Sequence, residues 1–101
     1  MEPVTFINCF EVPAGREDEF FRLWSDVNEY MRKKPGYLSH RMHRSIWPGS
    51  RFGFVNVVQW QSPETWQAAH DAGFHALVDQ PAWKDFPPCG ALFEVASEYR
   101  I

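Results

Sequence analysis

RFGFVNVVQWQSPETWQAAHDAGFH, residues 51–75, reads as a strand that feeds directly into a helix. From Phe52 to Trp60 the residues are aromatic and β-branched, which suits a pleated, half-buried surface. Ser62 then supplies a hydroxyl N-cap and Pro63 the first helical position, so a helix is predicted from Pro63 to about Ala72. In the strand, Phe54, Asn56, Val58 and Trp60 share one face, and Val55, Val57 and Gln59 share the other. Both faces are largely apolar, so both need cover. In the helix, Trp66 and His70 are four apart and share a face. Two tryptophans, an asparagine and two histidines, His70 and His75, thus fall within one supersecondary unit, more polar and aromatic chemistry than a plain core uses.

Towards the N-terminus, Val4 to Val12 alternates, with Val4, Phe6, Asn8, Phe10 and Val12 on one face. Asn8 sits at the centre of that apolar face. A buried amide without partners costs about 1–3 kcal/mol, so Asn8 bonds either to a neighbour or to a ligand. Pro13-Ala14-Gly15 makes a turn. Arg16 to Lys34 then has helical period, with Phe20, Leu23, Trp24, Val27, Tyr30 and Met31 on one stripe. Its acidic first turn and basic last turn suit the helix dipole, and Pro35-Gly36 ends it. Tyr37 to Ile46 is a second strand, with Leu38, His40, Met42, Arg44 and Ile46 opposite Tyr37, Ser39, Arg41, His43 and Ser45. His40 and His43 are three apart and point to opposite faces of a regular strand, which argues against a shared metal.

Beyond residue 72, Gly73 is expected to break or kink the second helix, and Phe74 to Gln80 to add a further helical turn carrying His75. Pro81, Pro87 and Pro88 mark a loop in which Trp83 and Phe86 are lid candidates. Ala91 to Arg100 alternates again and is predicted as the last strand.

The order β-α-β-β-α-β predicts an α+β, ferredoxin-like fold: a four-stranded antiparallel sheet with helices on one face. Two such sheets packed through their open faces make a dimeric α+β barrel, with the ligand pocket between sheet and helices. The 101 residues are read as a single domain, 1–101. With 45% hydrophobic and 17% aromatic residues, the chain carries more apolar surface than one small two-layer domain hides, so a homodimer or a bound aromatic ligand is expected. A net charge of −3 supplies no global positive field for a phosphate backbone, which argues against nucleic acid. No signal-like start or membrane-length apolar run is present, so a cytoplasmic protein without a membrane partner is expected. Cys9 and Cys89 lie far apart in sequence and read most simply as free thiols, with a bridge left open.

Several stretches together resemble the antibiotic biosynthesis monooxygenase family of small dimeric α+β-barrel proteins. They are Ile7-Asn8 in the first strand, Pro13-Ala14-Gly15, Pro35-Gly36-Tyr37-Leu38, and Trp60-Gln61-Ser62-Pro63-Glu64 followed by Trp66 and His70. The resemblance implies oxygenases that oxidise phenolic polyketides without metal or flavin, and haem-degrading enzymes. On the cofactor-independent reading, a deprotonated phenolic substrate itself gives an electron to dioxygen, and the protein supplies a dry aromatic pocket, a base and a donor amide. The expected catalytic residues are Asn8 with His70 or His75. Trp60, Trp66, Asn56, Phe74 and Trp83 are expected to contact the substrate. Haem is the alternative cofactor. Asn8 matches the pocket asparagine of that branch, but Ala69 stands at its pocket tryptophan and Val78 at its proximal histidine, with His75 three residues away. A non-catalytic ligand-binding dimer, and an isomerase or cyclase on the same scaffold, are the other classes considered.

Overall fold

β3 (Phe54–Trp60) is an interior strand of the sheet, flanked on one side by β2 (Tyr37–Arg44) and on the other by β1 (Val4–Phe10). β4 (Pro88–Phe93) completes the order β2-β3-β1-β4, every pair antiparallel. These elements come from a computed structural model that describes residues 2–101. Three helices, α1 (Glu17–Met31), α2 (Pro63–Ala69) and α3 (Ala72–Val78), and a 3-10 turn at Pro81–Asp85 complete the chain. The arrangement is the ferredoxin-like α+β fold expected from the element order.

The alternation in β1 and β3 decides which face the helices cover. Phe10 and Phe54 are buried with Phe20 and Trp24 of α1 and with Phe86, forming one core cluster. Val58 and Trp60 are buried with Met31 of α1 and Ala69 of α2, forming a second, against which Phe6, Trp66 and Phe74 pack. Thr5, Ile7 and Cys9 of β1 and Val55, Val57 and Gln59 of β3 alternate with these residues and face the open side, each only half-buried. Among the described residues no helix is long and apolar enough to cross a membrane.

Several features differ from expectation, each for a physical reason. A bulge between Tyr37 and Ser39 shifts the pairing of β2. Tyr37 therefore joins His40 and Met42 on the helix side, while Leu38 is pushed out to 53% exposure. Gly73 does not break a helix but lies inside α3, and the position is glycine because a Cβ there would collide with the Tyr30 hydroxyl. The break falls at His70-Asp71, where Asp71 caps α3 by accepting from the Phe74 N–H at 3.0 Å. The last strand begins at Pro88, three residues earlier than predicted, because it pairs from Phe10 of β1 onward, and it ends at Phe93, seven residues earlier than predicted, because β1 begins at Val4 and offers no partner beyond that point. Phe86 is fully buried in the core and is no lid.

Asp71 ties the α2–α3 joint to the end of α1. Lys34 donates to its Oδ2 at 2.6 Å and the Tyr30 hydroxyl to its Oδ1 at 2.7 Å. Lys34 first, then the Phe74 N–H and the Tyr30 hydroxyl, hold the carboxyl far below its usual value. A carboxyl depressed on folding contributes stability that is present above its unfolded value and lost as pH falls through the folded one. Asp71→Ala is therefore expected to lower Tm at neutral pH, with the gap to the parent narrowing only below about pH 4. Thermal melts from pH 7 to pH 2 check this; a gap constant across that range would show that the carboxylate charge contributes nothing.

Candidate functional site

The two core clusters do not meet. Between them, on the helix side of the sheet, β1 and β3 present Asn8 and Asn56 as direct register partners, and β4 places Gly90 beside Asn8. The result is a polar row crossing an otherwise apolar face. Over it lies a cavity of about 640 Å³ whose walls come from the sheet, α1, α2, α3 and the 3-10 turn. That volume suits a small-molecule ligand.

All eight residues singled out from the sequence line this cavity: Asn8, Asn56, Trp60, Trp66, His70, Phe74, His75 and Trp83. Each arrives by a local rule. Asn8, Asn56 and Trp60 sit at inward positions of alternating strands. Trp66 and His70 follow from α2, which starts where Ser62 accepts from the Thr65 N–H and Thr65 returns a bond to the Ser62 N–H. Phe74 and His75 come from α3. Trp83, on the 3-10 turn, closes one end against Phe10 and Phe20.

Four buried polar atoms of residues lining this cavity have no hydrogen-bond partner among the described residues: Asn8 Oδ1, Asn56 Oδ1, Trp60 Nε1 and Trp66 Nε1. Two are acceptors and two are donors. Asn56 is 7% exposed and Trp60 1%. At about 1–3 kcal/mol for each unsatisfied group, four together rival the 5–15 kcal/mol by which a domain is stable at all. They are the groups of the cavity-lining residues left for a water or a ligand to satisfy.

His70 is oriented rather than free. Its Nδ1 lies 2.6 Å from the Trp66 carbonyl oxygen, to which it donates, and this leaves the Nε2 lone pair unshared. The ring is held among Trp66, Phe74 and Phe6, with centroids 4.6, 4.5 and 6.2 Å away. Burial pushes its pKa below 6.5, against the bond to Trp66. A neutral imidazole with a free nitrogen is a competent proton acceptor. His75 stands at the exposed side, its ring edge-on to Phe74 at 5.3 Å.

Among the cavity residues that sequence reasoning did not single out, Tyr37, Asn28 and Gly90 shape its polar wall. The Tyr37 hydroxyl donates to Asn28 Oδ1 at 2.8 Å and lies 3.0 Å from His40 Nδ1. Burial pushes its pKa up to about 12, so it is a neutral phenol at the cavity wall. The β2 bulge hid it. Asn28 sits off the apolar stripe of α1. Gly90 was hidden by the adjacent prolines, although a glycine within a strand often marks a close approach. A Cβ on Gly90 would come within 2.7 Å of Asn8 Oδ1 and 3.0 Å of the Phe6 ring. Among the described residues, no three His, Cys, Asp or Glu side chains converge as a metal site would require.

Residues 3–86 match the family model for antibiotic biosynthesis monooxygenases. The chain belongs to that family. The family frame extends to solved structures over nearly the whole length. A candidate monooxygenase from Shewanella loihica superposes with a TM-score of 0.83 at 30% identity, covering 95% of this chain and 96% of that one. SnoaB, a cofactor-independent oxygenase from Streptomyces nogalater, shares the fold with a TM-score of 0.80 at 22% identity, covering 97% of each chain. A mycobilin-producing heme oxygenase of Mycobacterium tuberculosis is 35% identical over 66 residues. That match spans 65% of this chain and 61% of the oxygenase, less than two thirds of the latter's length.

Gly90→Ala is expected to displace the Asn8 amide while leaving the sheet intact. Ligand affinity or turnover should fall several-fold with an unchanged far-ultraviolet circular dichroism spectrum. Full retention of both would remove Asn8 from the binding face.

Proposed function

We propose that this protein is a cofactor-independent monooxygenase that oxidises a phenolic, polyketide-like aromatic with dioxygen. The four partnerless donors and acceptors in one aromatic cavity carry this reading. A ligand that satisfies them presents hydroxyl hydrogens to the asparagine oxygens and a carbonyl or phenolate oxygen to the indole N–H groups. A phenol carrying a neighbouring carbonyl has both.

On this reading, His70 Nε2 takes the proton that converts the substrate to its electron-rich anion. The Trp60 and Trp66 N–H groups stabilise the charge on oxygen, and the asparagines orient the hydroxyls. Phe74 and Trp83 exclude water. The anion passes electrons to dioxygen, so a ring CH₂ becomes C=O and the second oxygen atom leaves as water. His75, exposed at the cavity side, is the second candidate for the base. Homodimerisation through the open sheet face belongs to the same reading, supported by Ile7, Val55 and Val57 standing half-exposed there.

Haem binding or degradation is the second reading, favoured by the likeness to the heme oxygenase. The donor set fits such a group. His75 faces the cavity with no hydrogen bond to its ring among the described residues, one helical turn before Val78, and would hold the iron. Haem would supply an iron that binds dioxygen.

Oxygen uptake with an anthrone or hydroquinone tests the first reading: a rate no higher than the buffer control, across several substrates, would sink it. Since His70 acts only when neutral and its pKa is lowered, kcat/KM should hold from neutral pH down to below 6.5 and then fall. Asn8→Ala should abolish turnover while the protein stays folded. Hemin titration discriminates the second reading: saturation at one haem per chain, with a Soret shift lost in His75→Ala, would favour it over the first.

A further inference from the structure

The cavity floor carries amides from β1 and β3, and a further amide enters from the helix side. Asn28 of α1 stands four residues after Trp24, which packs in one core cluster, and three before Met31, which packs in the other. It therefore meets from the helix the same gap that Asn8 and Asn56 meet from the sheet, and it lines the cavity. Its carbonyl end is taken, because the Tyr37 hydroxyl donates to Oδ1 at 2.8 Å. That hydroxyl has a single hydrogen, so its oxygen accepts, at 3.0 Å, from His40 in the tautomer that carries hydrogen on Nδ1. His40 is held edge-on against Trp24, with ring centroids 5.4 Å apart. The donors thus run one way, from His40 to Tyr37 to Asn28, and bonds in such a chain polarise one another. The chain ends on the N–H groups of Asn28 Nδ2, which have no hydrogen-bond partner among the described residues. Burial pushes the Tyr37 pKa up to about 12, so its hydrogen stays in place at neutral pH.

Tyr37 and His40 belong to β2, whereas His70 packs beside Phe6 of β1, 6.2 Å between ring centroids. β3 lies between those two strands. The Asn28 donor, tied to β2, and the His70 imidazole, packed against β1, therefore serve opposite ends of whatever lies across β3. A ligand whose phenol meets His70 presents its far edge to Asn28, and a free N–H donor there calls for an acceptor.

We propose that Asn28 is a second oxygen subsite of this cavity, taking a carbonyl or quinone oxygen on the edge of the ligand remote from the phenol, with Tyr37 and His40 as its positioning residues. This rests on the reading of the ligand as an oxygenated aromatic, and it adds which edge carries which group. One edge bears a hydroxyl beside a carbonyl; the other bears a bare acceptor. Oxidation of a ring CH₂ to C=O creates such an acceptor, so the subsite favours the oxidised ring over its precursor.

The test measures binding by the full chain in oxygen-free buffer, with 1,8-dihydroxyanthrone and 1,8-dihydroxyanthraquinone as probes. The two share the hydroxyl–carbonyl edge and differ only in CH₂ or C=O at the opposite ring carbon. Followed by quenching of tryptophan fluorescence, the parent should bind the quinone several-fold more tightly than the anthrone. Asn28→Ala should lower the quinone to the affinity of the anthrone and leave the anthrone unchanged. Asn28→Asp, whose carboxylate still accepts from Tyr37 but turns an acceptor to the cavity, should reverse the order. Tyr37→Phe, which frees the amide to rotate, should shrink the preference. An equal loss for both probes in Asn28→Ala, or a preference for the quinone that survives in Asn28→Asp, would overturn the subsite and leave Asn28 a structural residue. A parent that binds both probes alike would overturn the subsite alone. A parent that binds neither would overturn the aromatic-ligand reading and this inference with it.

Discussion

Two side-chain amides set shoulder to shoulder in an apolar sheet face govern the interior of this protein. Asn8 and Asn56 lie opposite each other on neighbouring strands, and among the described residues no group satisfies their oxygens. A hydrophobic side chain laid over them would leave both acceptors buried against hydrocarbon, at a cost of about 1–3 kcal/mol each. The helices pack instead on the aromatic residues to either side. One cluster gathers at Phe10 and Phe54, and another at Val58 and Trp60. The cavity is the gap that this division leaves.

The remaining elements hold that gap open and furnish it. α1 bridges both clusters through Phe20 and Trp24 at one end and Met31 at the other. Asp71 fastens the short helices α2 and α3 to the end of α1 through Tyr30 and Lys34. That anchorage matters because helices of seven residues have little stability of their own. His70 sits at the joint, so the capping that terminates α2 also fixes its ring and selects the nitrogen left free. Fold and site share the same hydrogen bonds.

Much of this was legible in the sequence, because alternation and helical period report directly on which side chains face inward. The inward run of Phe54, Asn56, Val58 and Trp60 placed an amide on a buried face, and Ser62-Pro63 placed Trp66 and His70 above it. What escaped were features of register and close approach. The bulge at Leu38 inverts the facing of Tyr37, and strict alternation across that strand cannot reveal it. Gly73 and Gly90 look like punctuation in a linear reading. In the fold, each is small because another side chain, Tyr30 or Asn8, occupies its Cβ space.

The choice between the two chemistries open to this scaffold turns on where an imidazole presents its free nitrogen. His70 is walled by three aromatic rings and spends Nδ1 on a main-chain carbonyl. That arrangement keeps the ring neutral and aims one lone pair, as a base requires. A residue that would hold haem iron needs something different: a ring nitrogen on an exposed side of the cavity, and freedom to be ordered by the group it binds. His75 meets the first of those needs and Val78, one turn on, meets neither. The half-buried histidine is thus tuned before any ligand arrives, whereas the exposed one would be ordered by the ligand it binds. Prior organisation of the base, together with orphaned donors and acceptors matched to oxygen functions, favours the chemistry in which the substrate is its own reductant.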